Sequence, residues 1–204
     1  MRITPLATLV ASVFLLGACG AGSAADPTVA DPAASASTAS PATTDAVAAD
    51  ATFTDPAPAA AGGRIGPGTA CAIPATLSTA AAWTPKDASG VGFTEDGVTL
   101  RCEIDAKPAG VLGFIRVYTY EDGEARRALD TLLAIPGFGG TATAERQVTI
   151  GGETGVEAAL AAEETGPGRV FAAGGVVLVW RGLDEEEFAS GLPAYVLART
   201  SITF

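Results

Sequence analysis

Large apolar side chains are confined to one part of this chain. Between residues 20 and 68 there is no Leu, Trp, Tyr or Met and a single Phe, whereas both tryptophans, all three tyrosines and most branched aliphatics lie beyond Thr69. A segment of Ala, Pro, Ser, Thr, Asp and Gly buries too little apolar surface to offset the entropy of ordering its backbone. The reading is therefore a disordered tether up to residue 68 and one folded unit over 69–204, about 136 residues, an ordinary size for a single hydrophobic core.

Within that unit the hydrophobic period changes several times. In "GVTLRCEIDA" (97–106) Val98, Leu100, Cys102 and Ile104 alternate with Thr99, Arg101, Glu103 and Asp105, the pattern of a half-buried strand. After the turn at Lys107–Gly110, "VLGFIRVYTY" (111–120) predicts a more central strand paired to the first as a hairpin. Residues 121–135 switch to helical spacing, with Ala125, Ala128, Leu129, Leu132 and Ile135 on one stripe, and Pro136–Gly137 ends the helix. Gly151–Gly152 and Gly174–Gly175 each read as a two-residue hairpin turn, since both central positions accept positive φ. Val176–Trp180 is apolar throughout, as expected of a strand covered on both faces. Asp184 caps a final helix opening on Glu185, Glu186 and Glu187, which Pro193 should break or kink. The expected fold is α+β: an antiparallel sheet of about six or seven strands with two helices packed on it.

The chemistry that remains open is narrow. No histidine is present, which excludes His-based triads and imidazole ligands. The serines of the folded part, Ser78, Ser89, Ser190 and Ser201, sit in neither GxSxG nor SxxK contexts, and no glycine pair fits a phosphate or dinucleotide fingerprint. Lys86 and Lys107 are its only lysines. Asp184–Glu187 is the densest acidic cluster, but consecutive acids at a helix start serve the cap and the dipole more simply than a calcium ion, which needs six to eight oxygens from a looping backbone. No catalytic residue, metal or cofactor is expected. The formal charge of −11 argues against nucleic acid, because no Lys/Arg cluster exists to displace counterions from phosphates.

At the amino terminus, Arg2 precedes an apolar stretch from Leu6 to Leu16, too short for the ~20 residues a membrane-spanning helix needs and typical of an export leader. It ends in Leu16-Gly17-Ala18-Cys19, which resembles the lipobox of bacterial lipoproteins. The resemblance implies removal of residues 1–18 and lipidation of Cys19, so that acyl chains anchor the protein to the outer face of a cell membrane. The competing reading is an ordinary secreted protein with an incidental cysteine. Lipidation of Cys19 leaves Cys71 and Cys102, which an oxidising compartment would join; two reactive thiols are the alternative, without a CxxC spacing or a basic neighbourhood to favour them. Residues 19–68 would then be a tether with a reach of about 40 Å, open to O-glycosylation.

The opening Cys-x-x-Pro segment running to Trp83, the helix near 124–135 and the helical finish resemble the domain of actinobacterial envelope lipoproteins of the LpqN type, which have a PsbP-like fold. That resemblance implies no catalytic residues. The functional expectation is a non-catalytic, lipid-anchored module that binds an envelope protein or cell-wall component. The alternatives are a carrier of a small hydrophobic ligand, with a pocket lined by Leu112, Phe114, Leu132 and Trp180, and a hydrolase using two converging carboxylates.

Overall fold

In the computed structural model the described residues are 51–121, 123–136, 140–161 and 165–204. The leader, Cys19 and the tether up to residue 50 lie outside them, as do Glu163 and Glu164. The strands and α-helices, in chain order, are β1 (Ala61–Ile65), β2 (Leu77–Ala80), β3 (Thr84–Asp87), β4 (Thr94–Glu95), β5 (Val98–Asp105), β6 (Phe114–Tyr120), α1 (Ala125–Ala134), β7 (Ala142–Ile150), β8 (Glu153–Leu160), β9 (Gly168–Ala173), β10 (Val176–Arg181) and α2 (Glu185–Thr200), with single 3-10 turns at Ala51–Phe53, Ser89–Val91 and Lys107–Ala109.

Eight strands form one antiparallel sheet in the order β3-β5-β6-β10-β9-β8-β7, with β4 joined to β5 outside that path; β1 and β2 make a separate two-stranded sheet. The α+β architecture is as expected, and the main sheet is wider than the six or seven strands read from the pattern. Its extra members, β3 and β4, have four and two residues, too few to display an alternation. The β5–β6 hairpin forms in the expected place, with Val98 opposite Tyr120 and Asp105 opposite Phe114, and a bulge between Leu100 and Cys102. Both Gly-Gly turns occur: φ is 62° and 86° at Gly151 and Gly152, and 51° and 80° at Gly174 and Gly175.

Strand β10 explains the layering. Val176, Leu178 and Trp180 face α2 through Tyr195, Ala194 and Ala198, while Val177 and Val179 face α1 through Ala128, Leu129 and Leu132. Alternate side chains of a strand point to opposite faces, so one helix covers each side and every residue from Val176 to Trp180 is buried. Close approach of α2 is permitted by Gly191, where an added Cβ would stand 2.1 Å from Trp180 Cζ2. The Trp180 indole N–H donates to the Phe188 carbonyl at 3.0 Å. Cys71 and Cys102 are disulfide-bonded with Cα atoms 5.6 Å apart, tying the opening segment to β5.

Two expectations are corrected. Helix α2 runs through Pro193 without a break; the burial of Ala194, Tyr195, Val196 and Ala198 against the sheet and small strands outweighs one missing intrahelical bond. The Pro193 carbonyl accepts from the Ala59 N–H at 3.0 Å. The folded part also begins before Thr69. Phe53 is 4% exposed, and β1 pairs with β2 from Ala61 opposite Ala80 to Ile65 opposite Leu77. Composition averaged over the tether hid these residues, because Phe53 and Ile65 are isolated in an apolar-poor stretch and their partners lie far along the chain.

Candidate functional site

The carrier pocket expected from Leu112, Phe114, Leu132 and Trp180 does not assemble. Leu132 packs beneath α1 and Trp180 beneath α2, on opposite faces of the sheet, and both are fully buried. Leu112 and Phe114 lie elsewhere, on the wall of an open groove of about 440 Å³.

The groove lies on the α1 face, toward the end of the sheet where β6 begins and β10 ends. Phe114 and Arg116 share the strand face of Tyr118, and Arg181 that of Val179, which stands opposite Arg116. The loop before β6 contributes Leu112, and the link from β10 to α2 contributes Leu183; these side chains are 58% and 78% exposed. Lys107, Arg116 and Arg181 line the same wall, with Glu187 as its one carboxylate. The Lys107 ammonium stands 5.8 Å from the centroid of the Phe114 ring, within cation–π range. Arg116 Nε donates to Glu103 Oε1 at 3.0 Å. Burial, and then the neighbouring Arg116 charge, hold the Arg181 guanidinium below its ordinary pKa. Three cations beside two exposed leucines, in a chain of net charge −11, make a surface suited to a ligand with both anionic and apolar parts.

Glu187 also belongs to the helix cap. The Asp184 carboxylate accepts from the Glu187 N–H at 2.8 Å, and the Glu187 carboxylate accepts from the Leu183 N–H at 2.6 Å. The acidic run thus terminates a helix, as its sequence indicated. Among the described residues no group of three or more Cys, Asp or Glu side chains is arranged to hold a metal ion.

A second polar assembly was missed by sequence reasoning. On the α2 face, Arg146 of β7 stands opposite Glu157 of β8, and Arg169 of β9 lies opposite Ala159, two residues further along β8. Helix α2 adds Tyr195 and Arg199, one turn apart. Glu157 is 0% exposed and accepts from Arg146 Nε at 2.8 Å, from the Tyr195 hydroxyl at 3.0 Å and from Arg199. Arg169 Nη1 lies 3.8 Å from Oε1, the oxygen to which Tyr195 donates. Burial first, and then the Glu157 charge, raise the Tyr195 pKa well above its ordinary value. Burial disfavours the Arg199 cation, but Glu157, Tyr195 and Asp55 outweigh it and raise its pKa. The available signal was strand parity: Arg169 precedes Phe171 by two, Arg146 precedes Val148 by two, and Arg199 follows Tyr195 by four, so each shares an inward face.

A helix on each face of an antiparallel sheet, with an open groove lined by cations and leucines and a buried arginine cluster, defines a small α+β domain. Over residues 41–202 the chain matches the family described as uncharacterised lipoproteins, and it belongs to that family. No curated protein and no solved structure matches it. Membership makes it a membrane-associated lipoprotein, and no helix among the described residues is long and apolar enough to cross a membrane.

Proposed function

We propose that this protein is an export-leader lipoprotein, anchored through Cys19 at the extracytoplasmic face of the cell membrane, whose domain is a non-catalytic docking module for an acidic segment of another envelope protein. Support for the anchor comes from the lipoprotein family and from the lipobox-like Leu16-Gly17-Ala18-Cys19; the actinobacterial, LpqN-type reading of the domain rests on its element order. One observation carries the docking role: exposed Leu112 and Leu183 flank Lys107, Arg116 and Arg181 on an otherwise strongly acidic chain. A segment bearing carboxylates and apolar side chains satisfies both features, with charge steering its encounter and desolvated leucines slowing its release.

The test places a photo-crosslinking residue at position 112, 183 or 91 of the full chain in intact cells. Val91 is 71% exposed and lies outside the groove, which makes it the control. One adduct of the same mass from positions 112 and 183, absent from 91 and lost with Lys107→Glu, supports the reading. Identical adducts from all three positions, or adducts that Lys107→Glu leaves unchanged, refute it. A Cys19→Ser chain that still incorporates labelled palmitate refutes the anchor separately.

A further inference from the structure

The buried arginine cluster is closed by the stretch of chain that the tether feeds into the domain. Arg146 and Arg169 bring their guanidinium carbons to 4.5 and 4.6 Å from the centroid of the Phe53 ring. Asp55 pairs with Arg146 at 3.3 Å and with Arg199, and Arg169 donates to the Thr52 carbonyl. Between Asp55 and β1 the residues Pro56–Ala60 belong to no strand or helix. Thr52–Asp55 is therefore held by side-chain anchors in a pocket, as a bound peptide is, rather than by a β-ladder.

Charge explains why the pocket demands such an occupant. Its walls carry three guanidiniums against the single carboxylate of Glu157, and Arg169 and Arg199 are each only 4% exposed. Buried cations without counter-charge are strongly unfavourable, so the occupant must bring a carboxylate and exclude water with an apolar group. Phe53 and Asp55, two residues apart, bring both. The pairing is incomplete: Arg169 Nη1, Arg199 Nε and Asp55 Oδ1 are buried without a hydrogen-bond partner. A segment whose acceptors reached the two arginine nitrogens would bind better than the resident one.

We propose that Thr52–Asp55 is a resident pseudoligand, and that the Arg146/Arg169/Arg199/Glu157 pocket is a recognition site for peptide segments carrying an aromatic residue and, two positions later, a carboxylate. Such a segment displaces the resident one and releases the junction between tether and domain. This site is separate from the groove and stands whether or not the groove docks a partner.

The test uses the full chain in detergent and a labelled peptide of residues 50–57, Asp-Ala-Thr-Phe-Thr-Asp-Pro-Ala. A Phe53→Ser/Asp55→Ser chain, with its own segment disabled, binds the peptide saturably, and changing the peptide's Phe to Ala or its Asp to Asn abolishes binding. The unmodified chain binds it about tenfold or more weaker, because a segment on a short linker competes at an effective concentration of about millimolar. No binding to a cooperatively folded double variant, or equal binding to both chains, overturns the proposal. Should the double variant not fold, a chain with Phe53 and Asp55 intact and a protease sequence inserted between Pro58 and Ala59 decides. After cleavage the amino-terminal piece stays bound and excess peptide releases it. A piece that dissociates at once, or that the peptide cannot displace, overturns the proposal.

Discussion

Replacing Glu157 by Gln removes one charge from the most enclosed ionic group among the described residues. The carboxylate is fully buried and accepts from Arg146, Arg199 and Tyr195, with Arg169 a further 3.8 Å neighbour. An amide of the same shape offers one acceptor oxygen and turns an N–H₂ donor toward groups that are themselves donors. Asp55, on the rim, is then the sole counter-charge for three guanidiniums. Breaking a buried ion pair from one side costs about 3–5 kcal/mol, and for a domain of this size each kcal/mol lowers Tm by about 2–4 °C, so Glu157→Gln should lower Tm by about 6–20 °C. Arg126→Ala supplies the scale of exposed pairs: Arg126, 55% exposed, bridges Asp130 and Glu145, and losing each such bridge costs less than about 1 kcal/mol. Thermal unfolding followed by circular dichroism, with the denaturant m-value checked for constancy, measures both. A Glu157→Gln chain that melts no lower than Arg126→Ala would show that the cluster contributes no more than surface charge.

Reducing the Cys71–Cys102 bridge, or replacing both cysteines by Ala, frees a loop spanning a sequence separation of 31; the chain-entropy relation gives a loss of about 4 kcal/mol, read by guanidinium unfolding, and a change below about 1 kcal/mol contradicts it. Gly191→Ala drives a Cβ into the Trp180 ring and should destabilise by about 1–3 kcal/mol despite the better helix propensity of alanine, whereas a gain in Tm would mean that α2 can move off the sheet. With no histidine in the chain, stability should be flat from about pH 5 to 9. The Lys86 ammonium, and then the Lys107 N–H, hold the Asp105 carboxyl below its ordinary pKa, so its contribution is complete above about pH 4 and lost as pH falls through the folded value; Asp105→Asn should flatten that acid limb. Burial raises the pKa of Tyr118, Tyr120 and Tyr195, so their contribution is complete below about pH 10 and lost at higher pH. A step in stability near pH 7 would contradict this assignment.

The amino-acid pattern alone determined whatever depends on neighbours a few residues apart. The alternation at 98–105, the helical stripe through Leu129 and Leu132, the Gly-Gly turns and the Asp184 cap are local devices, and each forms where its residues stand. The continuous apolar run Val176–Trp180 likewise announced a strand between two layers. What only the tertiary structure decided depends on residues brought together from distant positions. Leu132 and Trp180 went to opposite faces because the sheet lies between the two helices, which removed the expected pocket. Leu112 and Leu183 met Lys107 and Arg181 only where the start of β6 and the end of β10 converge. Phe53 looked like one stray aromatic in a polar tether, yet two guanidiniums about a hundred residues away give it a buried seat. Hydrophobic period is a property of a single segment, and it reports which face is buried. Which charges share that burial is set by sheet order and register, since a buried guanidinium is stable only where the fold delivers a carboxylate to it.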